Sequence, residues 1–278
     1  MLCFLSAREK EGLRPFQKLK LYFTKWEPQQ REVHGVPYLT CTCRLWRGAS
    51  EKLWRKKLRR AAKRLIAQGG TSFYAPEKWQ ALLGECGLSP EEPSRGIGAE
   101  ELFFAVGRLL KQGGELPGGA AVLTRSITPL AERFLLLLSQ YCRYLTVVTR
   151  DSQSARYVRR MLVEEGLPMI ATDHLPDAPA PRLALELDWE EPVRLERGCL
   201  CFSLTQGAAE SSGKITRIYY QPPAEVVKAL PEGVPEQLFW ELIARESGEV
   251  RFQRPVAGYL CAGQTFPPKQ IMRKLYLT

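Results

Sequence analysis

The sequence predicts an α/β protein: a small N-terminal α/β domain over residues 1–95, then a doubly wound, mainly parallel sheet over residues 96–278 that includes a C-terminal extension. Three observations carry this reading. From residue 120 on, continuous apolar runs of strand length alternate with amphipathic runs of helix length, the pattern of a parallel sheet covered on both faces. Before residue 95 the order is strand, strand, helix, strand, helix. Between them lies "GLSPEEPSRGIG", residues 87–98, whose Pro, Gly and Ser mark a boundary or loop.

In the first domain, "FQKLKLYFT" (16–24) and "PYLTCTCRLW" (37–46) read as strands. A helix follows, with Ser50 as N-cap and Gly69-Gly70 as its end. Trp54, Leu58, Ala61 and Leu65 form one stripe on it at i, i+4, i+7 and i+11. "TSFYAP" (71–76) is a short strand, and "PEKWQALLGECG" (76–87) is a helix with Pro76 near its start. The second domain opens with the apolar helix "GAEELFFAVGRLLKQGG" (98–114), closed by two glycines. "ELPGG" then turns into the strand "AAVLTR" (120–125). The helix at 128–142 has Thr128 as N-cap and Pro129 at its first position. Strand 144–150, helix 151–166, strand 167–173 and strand 182–188 continue the alternation, with the loop "HLPDAPAP" before the last. "GCLCFSLTQ" and "ITRIYYQPP" are two further strands joined by a polar loop. "VPEQLFWELIARESG" is a helix and "VRFQRP" a last edge strand, while the tail "PPKQIMRKLYLT" carries no decisive pattern.

No run approaches the roughly 18 apolar residues that span a bilayer. The longest, "FLLLLSQYC", is half that length and reads as buried helix. The start "MLCFLSAREK" has no basic leader and no cleavage site, so the expectation is a cytoplasmic protein with no signal peptide and no membrane segment. Eight cysteines in such a chain read as reduced thiols. Cys41 with Cys43, and Cys199 with Cys201, fall at i and i+2 of strands, so each pair faces one way into a core. A four-cysteine zinc site would use wider spacing, and no metal is expected.

The net charge of +10 is concentrated: residues 51–64, "EKLWRKKLRRAAKR", carry eight basic residues and one acid, a net of +7. Lys52, Arg55, Lys56, Arg59, Arg60 and Lys63 cover the helix surface outside the apolar stripe. A solvated basic face is one reading, and an anionic small molecule or acidic partner is the other. Nucleic acid is the weaker form of the second, because no aromatic residues interleave with these charges.

The segment that invites chemistry is "TRSITP", residues 124–129, between the strand at 120–125 and its helix. A helix N-terminus offers free N–H groups and a partial positive charge to an anion. Arg125, Ser126 and Thr128 supply side-chain donors there, with Thr124 at the strand end. The plain alternative is that Thr128 caps its helix and Arg125 is solvated. At the next strand end stand Arg150 and Asp151, and Asp151 also suits a helix N-cap. Asp173 and His174 follow the third strand with Asp177 nearby, a pair able to move protons near neutral pH. Neighbours on an extended chain point opposite ways, so loop and turn roles are the expectation for both.

Over residues 98–220 this β-α-β-α-β order resembles the NAD(P)-binding Rossmann-like superfamily. The smaller N-terminal region looks like the two-domain layout of shikimate dehydrogenase-like and methylenetetrahydrofolate dehydrogenase-like enzymes. The resemblance implies a dinucleotide at the first turn, where the family places G-x-G-x-x-G to let backbone approach the pyrophosphate. Here every residue of 124–129 has a side chain, Pro129 lacks an N–H, and Gly118-Gly119 precede the strand. Asp151 would take the ribose role of NAD, and Arg150 would favour the 2′-phosphate of NADP. Three readings follow. The chain is a Rossmann-like protein with a glycine-free phosphate loop that binds an anionic metabolite or partner at the cleft between its domains. Or it is an NAD(P)-dependent oxidoreductase with an atypical loop. Or it is a non-enzymatic adaptor that meets nucleic acid or an acidic protein through helix 51–64.

Overall fold

The computed structural model describes residues 1–86, 88, 96–175, 180–196, 198–204 and 209–277. Most of the boundary loop at 87–98, and Asp177, lie outside the described residues. The chain forms two compact units, Met1–Pro93 with Pro222–Arg251, and Ser94–Gln221 with Phe252–Thr278. The segment Pro222–Arg251 therefore belongs with the N-terminal unit, whereas the sequence reading kept all of 96–278 together.

The first unit runs β1 (Leu2–Lys10), α1 (Pro15–Phe23), β2 (Gln29–Val33), β3 (Val36–Trp46), α2 (Glu51–Ala67), β4 (Ser72–Tyr74) and α3 (Glu77–Glu85). Its sheet has the order β2-β3-β1-β4, with β1 parallel to β3 and β4 and β2 antiparallel to β3. On one face Cys3, Leu5, Leu39, Cys41, Cys43 and Leu45 pack beneath the expected α2 stripe of Trp54, Leu58, Ala61 and Leu65. Ser50 Oγ caps α2 by accepting from Leu53 N at 3.3 Å.

The segment 16–24, expected as a strand, is the helix α1. Its apolar residues at 16, 19, 22 and 23 fit a helical period, while Leu19-Lys20-Leu21 also fits a period of two. The ends decide. Pro15 presets the first helical φ, and Arg14 N donates to Gln17 Oε1 at 2.9 Å. At the other end, Lys57 Nζ reaches across from α2 and donates to the carbonyls of Tyr22 and, at 3.1 Å, Thr24. α1 itself buries no residue.

The second unit runs α4 (Ala99–Gly113), β5 (Leu116–Leu123), α5 (Pro129–Ser139), β6 (Cys142–Val148), α6 (Ser152–Glu165), β7 (Met169–Thr172), β8 (Pro181–Glu186), β9 (Val193–Arg194), β10 (Leu200–Ser203), β11 (Ala209–Glu210) and β12 (Lys214–Tyr220). The chain then returns to the first unit as α7 (Ala224–Ala229) and α8 (Glu236–Ser247). There Val226, Phe239, Trp240 and Ile243 cover the other sheet face, against Leu2, Phe4, Tyr38 and Tyr74. Arg251–Gln253 is a single 3₁₀ turn, not the expected edge strand. Pro255 has no N–H to give a ladder, and strand pairing starts only after it. β13 (Val256–Cys261), β14 (Gln264–Phe266) and α9 (Pro268–Tyr276) complete the second unit.

Its eight strands lie in the order β14-β13-β12-β10-β8-β5-β6-β7. In chain order, the six parallel strands β5, β6, β7, β8, β10 and β12 stand as 3-2-1-4-5-6, the arrangement of a Rossmann-like sheet. β13 and β14 add antiparallel at one edge. β5 begins earlier than expected, so Gly118, at φ +90, and Gly119 lie within it at a register shift. They sit at its amino end, away from the turn that follows Leu123. Ala120 and Val122 pack beneath Val106, Phe134 and Ile271 from α4, α5 and α9. Ala121, Leu123 and Val148 face the other way, against Trp189 and Leu195. That second cluster contains no helical residue among the described residues: extended chain after β8 covers the face.

Replacing Lys57 by Met leaves the last carbonyls of α1 without their donor. We expect a loss of about 1–3 kcal/mol in urea-induced unfolding, with α1 amides exchanging faster than those of α2.

Candidate functional site

Between β5 and β8 the strand order reverses, and at such a point the carboxyl ends of an open sheet leave a crevice. The turn 124–128 opens there. Thr124 is 1% exposed and continues β5, its N donating to Val148 O at 3.1 Å. Its Oγ1 lies 2.7 Å from both Asp188 Oδ1 and the Ser126 carbonyl. Arg125 N donates to the same Asp188 oxygen at 2.9 Å. A carboxylate of the chain itself thus sits on the first free N–H beyond β5. Two more acids follow it: Glu190 pairs with Arg125 at 2.9 Å and Glu191 with Arg150 at 2.6 Å. Both pairs are exposed and add little stability. They do neutralise the two arginines that the sequence offers to an anion. Trp189, buried between these acids, anchors the loop in the sheet face.

Several of the remaining turn groups are also occupied. Ile127 N donates to Ser154 Oγ at 2.8 Å, and Arg125 O accepts from Thr149 Oγ1 at 2.9 Å. Thr128 Oγ1 caps α5 by accepting from Ala131 N at 3.2 Å. Ser126 is exposed and lines a shallow cleft of about 400 Å³ with Pro129, Glu132, Asp151, Gln153 and Tyr157. Glu132 accepts from the Tyr157 hydroxyl, whose pKa is pushed up to about 12 by burial and by that carboxylate.

Asp151 is the N-cap of α6. Its carboxylate accepts from Gln153 N at 3.2 Å, Ser154 N at 2.9 Å and Ser154 Oγ at 2.6 Å. The Ser154 hydroxyl and these amides hold its pKa below the ordinary carboxylate value. Asp173 and His174 do meet, contrary to the expectation from extended backbone: β7 ends at Thr172, and the following bend brings His174 Nδ1 to 2.7 Å from Asp173 Oδ1. Both are exposed, and the contact lowers the Asp173 pKa. Beyond the crevice, Glu186 is fully buried and pairs with Lys214 Nζ at 3.1 Å.

Among the described residues, no group of three or more His, Cys, Asp or Glu is placed to hold a metal ion. All eight cysteines are free, with Cys41 and Cys43 in one core cluster and Cys199 and Cys201 in another. No described helix is long and apolar enough to cross a membrane. The residues that sequence reading missed here are Asp188, Glu190 and Glu191. Their signal, three acids in "DWEE" after a strand, acquires meaning only once β8 lies beside β5.

No family model matches the chain, and no curated protein matches it. Among solved structures it is similar to quinate dehydrogenase from Corynebacterium glutamicum in complex with NAD, at 13% identity. That similarity covers 66% of this chain and 69% of the other, with a TM-score of 0.24, too low to decide fold or function. The Rossmann-like assignment stands on the strand order alone.

Because the folded pKa of Asp151 is depressed, its cap is fully formed above the ordinary value of 3.8 and is lost as pH falls through its own lower value. Amide exchange at Gln153 and Ser154 is expected to rise relative to the α6 interior over that acid range. In Asp151→Asn the same comparison should lose its pH dependence.

Proposed function

We propose that this chain is a Rossmann-like binding protein that takes no standard dinucleotide, because Asp188 holds the place where the first turn would receive a phosphate. The observation that carries this is the paired contact of Asp188 with Thr124 Oγ1 and Arg125 N. A pyrophosphate needs close backbone approach and free N–H groups, and here the N–H groups of Arg125 and Ile127 are already taken by Asp188 and Ser154. It also meets three carboxylates, Asp188, Glu190 and Glu191, where it would need positive charge. Asp151, the group that would hold a ribose, is spent on its own helix. On this reading the anionic ligand or partner is met elsewhere, by the basic helix α2. Its Arg55 and Arg59 pair with Glu85, while Lys52, Lys56, Arg60 and Lys63 make no ion pair among the described residues.

A thermal-shift titration with NAD, NADH, NADP and NADPH tests the reading. A ligand at 100 times its dissociation constant would stabilise the fold by about 2.7 kcal/mol, a rise of a few degrees. We expect no shift at millimolar dinucleotide. A saturable shift that Arg125→Ala abolishes would overturn this reading and show dinucleotide binding at the turn, as the oxidoreductase alternative requires. Asp188→Ala, which leaves the Arg125 amide without its acceptor while the Thr124 hydroxyl keeps the Ser126 carbonyl, should cost about 1 kcal/mol.

A further inference from the structure

The basic helix α2 carries no aromatic residue on its charged face, yet the fold brings aromatics to it. α1 and the segment after it lie alongside α2 and form one wall of a groove of about 470 Å³. Tyr22, Phe23 and Trp26 line it from that side, and Lys56, Arg60 and Arg64 from the other. Among the described residues, no acidic one lines it. Lys57 ties the two walls together through the carbonyls of Tyr22 and Thr24, and Arg64 Nη1 donates to Trp26 O at 2.9 Å. On the open surface of α2 itself, Lys52, Lys56, Arg60 and Lys63 stand with Arg55, Arg59 and Glu51.

Two features define what fits. Lys52, Lys56 and Arg60 follow at four-residue intervals on the exposed side of α2, so successive cations stand about 6 Å apart along the axis. All three are exposed. A row of evenly spaced cations suits an evenly charged polymer. Beside that row Phe23 is 70% exposed, while Tyr22 has Lys57 Nζ over its ring at 5.6 Å and braces Phe23 edge-to-face at 5.2 Å. Aromatic faces next to a cationic track are what unpaired bases need, because stacking is open to every base and phosphates follow the charge. A duplex hides its base faces, and a lipid surface is too broad to enter a groove.

We propose that the groove between α1 and α2 binds single-stranded nucleic acid, with phosphates along Lys52, Lys56 and Arg60 and a base stacked on Phe23. The inference rests on the reading that α2 meets the anionic partner, and the dinucleotide titration, which probes the turn after β5, separates its failure from that of the Rossmann-like unit's reading.

Fluorescence anisotropy of the full chain with a labelled 12-residue oligo(dT), titrated over a range of KCl, tests this. We expect saturable binding that weakens with salt. Lys56→Gln with Arg60→Gln should reduce the slope of log K against log salt by about 1.4. Phe23→Ala should weaken binding about tenfold at an unchanged slope. Phe23 is exposed, so its replacement should leave the melting temperature unaltered. Absence of binding at low salt overturns the proposal. So does equal binding of a duplex or polyglutamate with no effect of Phe23→Ala, which would leave only a general polyanion surface. Capture by phosphatidylserine vesicles that oligo(dT) fails to compete away would assign the surface to a membrane instead.

Discussion

A single carboxylate, Asp188, joins the ends of the two strands between which a doubly wound sheet ordinarily opens. It does so because β8 lies beside β5, and because Trp189 is buried in the sheet face directly after it. In a doubly wound sheet the connection leaving such a strand commonly becomes a helix on the second face. Here that connection stays extended and turns inward, so its polar groups can reach the turn after β5. The buried Thr124 hydroxyl then lies against Asp188 as well as the Ser126 carbonyl, and both contacts are made by a turn without glycine. Arg125 and Arg150 are drawn to the same loop by Glu190 and Glu191. The absence of the usual glycines and the presence of these acids are therefore two sides of one arrangement.

The N-terminal unit has a comparable anchor. Lys57 is buried with its ammonium directed at the carbonyls that end α1. Burial and the neighbouring Arg60 both lower its pKa, a cost the carbonyls offset. One side chain of the basic helix is thus withdrawn from solvent to hold α1 in place, and the rest remain outside.

Much of the architecture was legible in the sequence. "AAVLTR" and "YLTVVTR" read as strands because a parallel sheet covered on both faces leaves continuous apolar runs. Thr128 and Asp151 read as caps because their type and position are local matters. "FQKLKLYFT" was not legible, since its residues satisfy both periods and the deciding group, Lys57, stands more than 30 residues away. The role of Asp188 was hidden for the same reason: it rests on a strand pairing 64 residues distant in sequence. The aromatics beside α2 were hidden too, because they are supplied by α1 and not interleaved along the helix that carries the charge. Local signals survive in a linear reading, and juxtapositions between distant segments do not.

The return of Pro222–Arg251 to the first unit has a consequence for how the chain is made. As synthesis proceeds, the first sheet emerges complete on the side of α2, with its other face still bare. Phe4, Tyr38 and Tyr74 wait for Val226, Phe239 and Trp240, which come off the ribosome only after the whole parallel sheet from β5 to β12. For the time needed to add some 150 residues, at about 5–20 residues per second, an aromatic surface stands open on a half-finished unit. The nascent chain is then most exposed to aggregation, and most in need of a chaperone, in the interval before Pro222–Arg251 arrives.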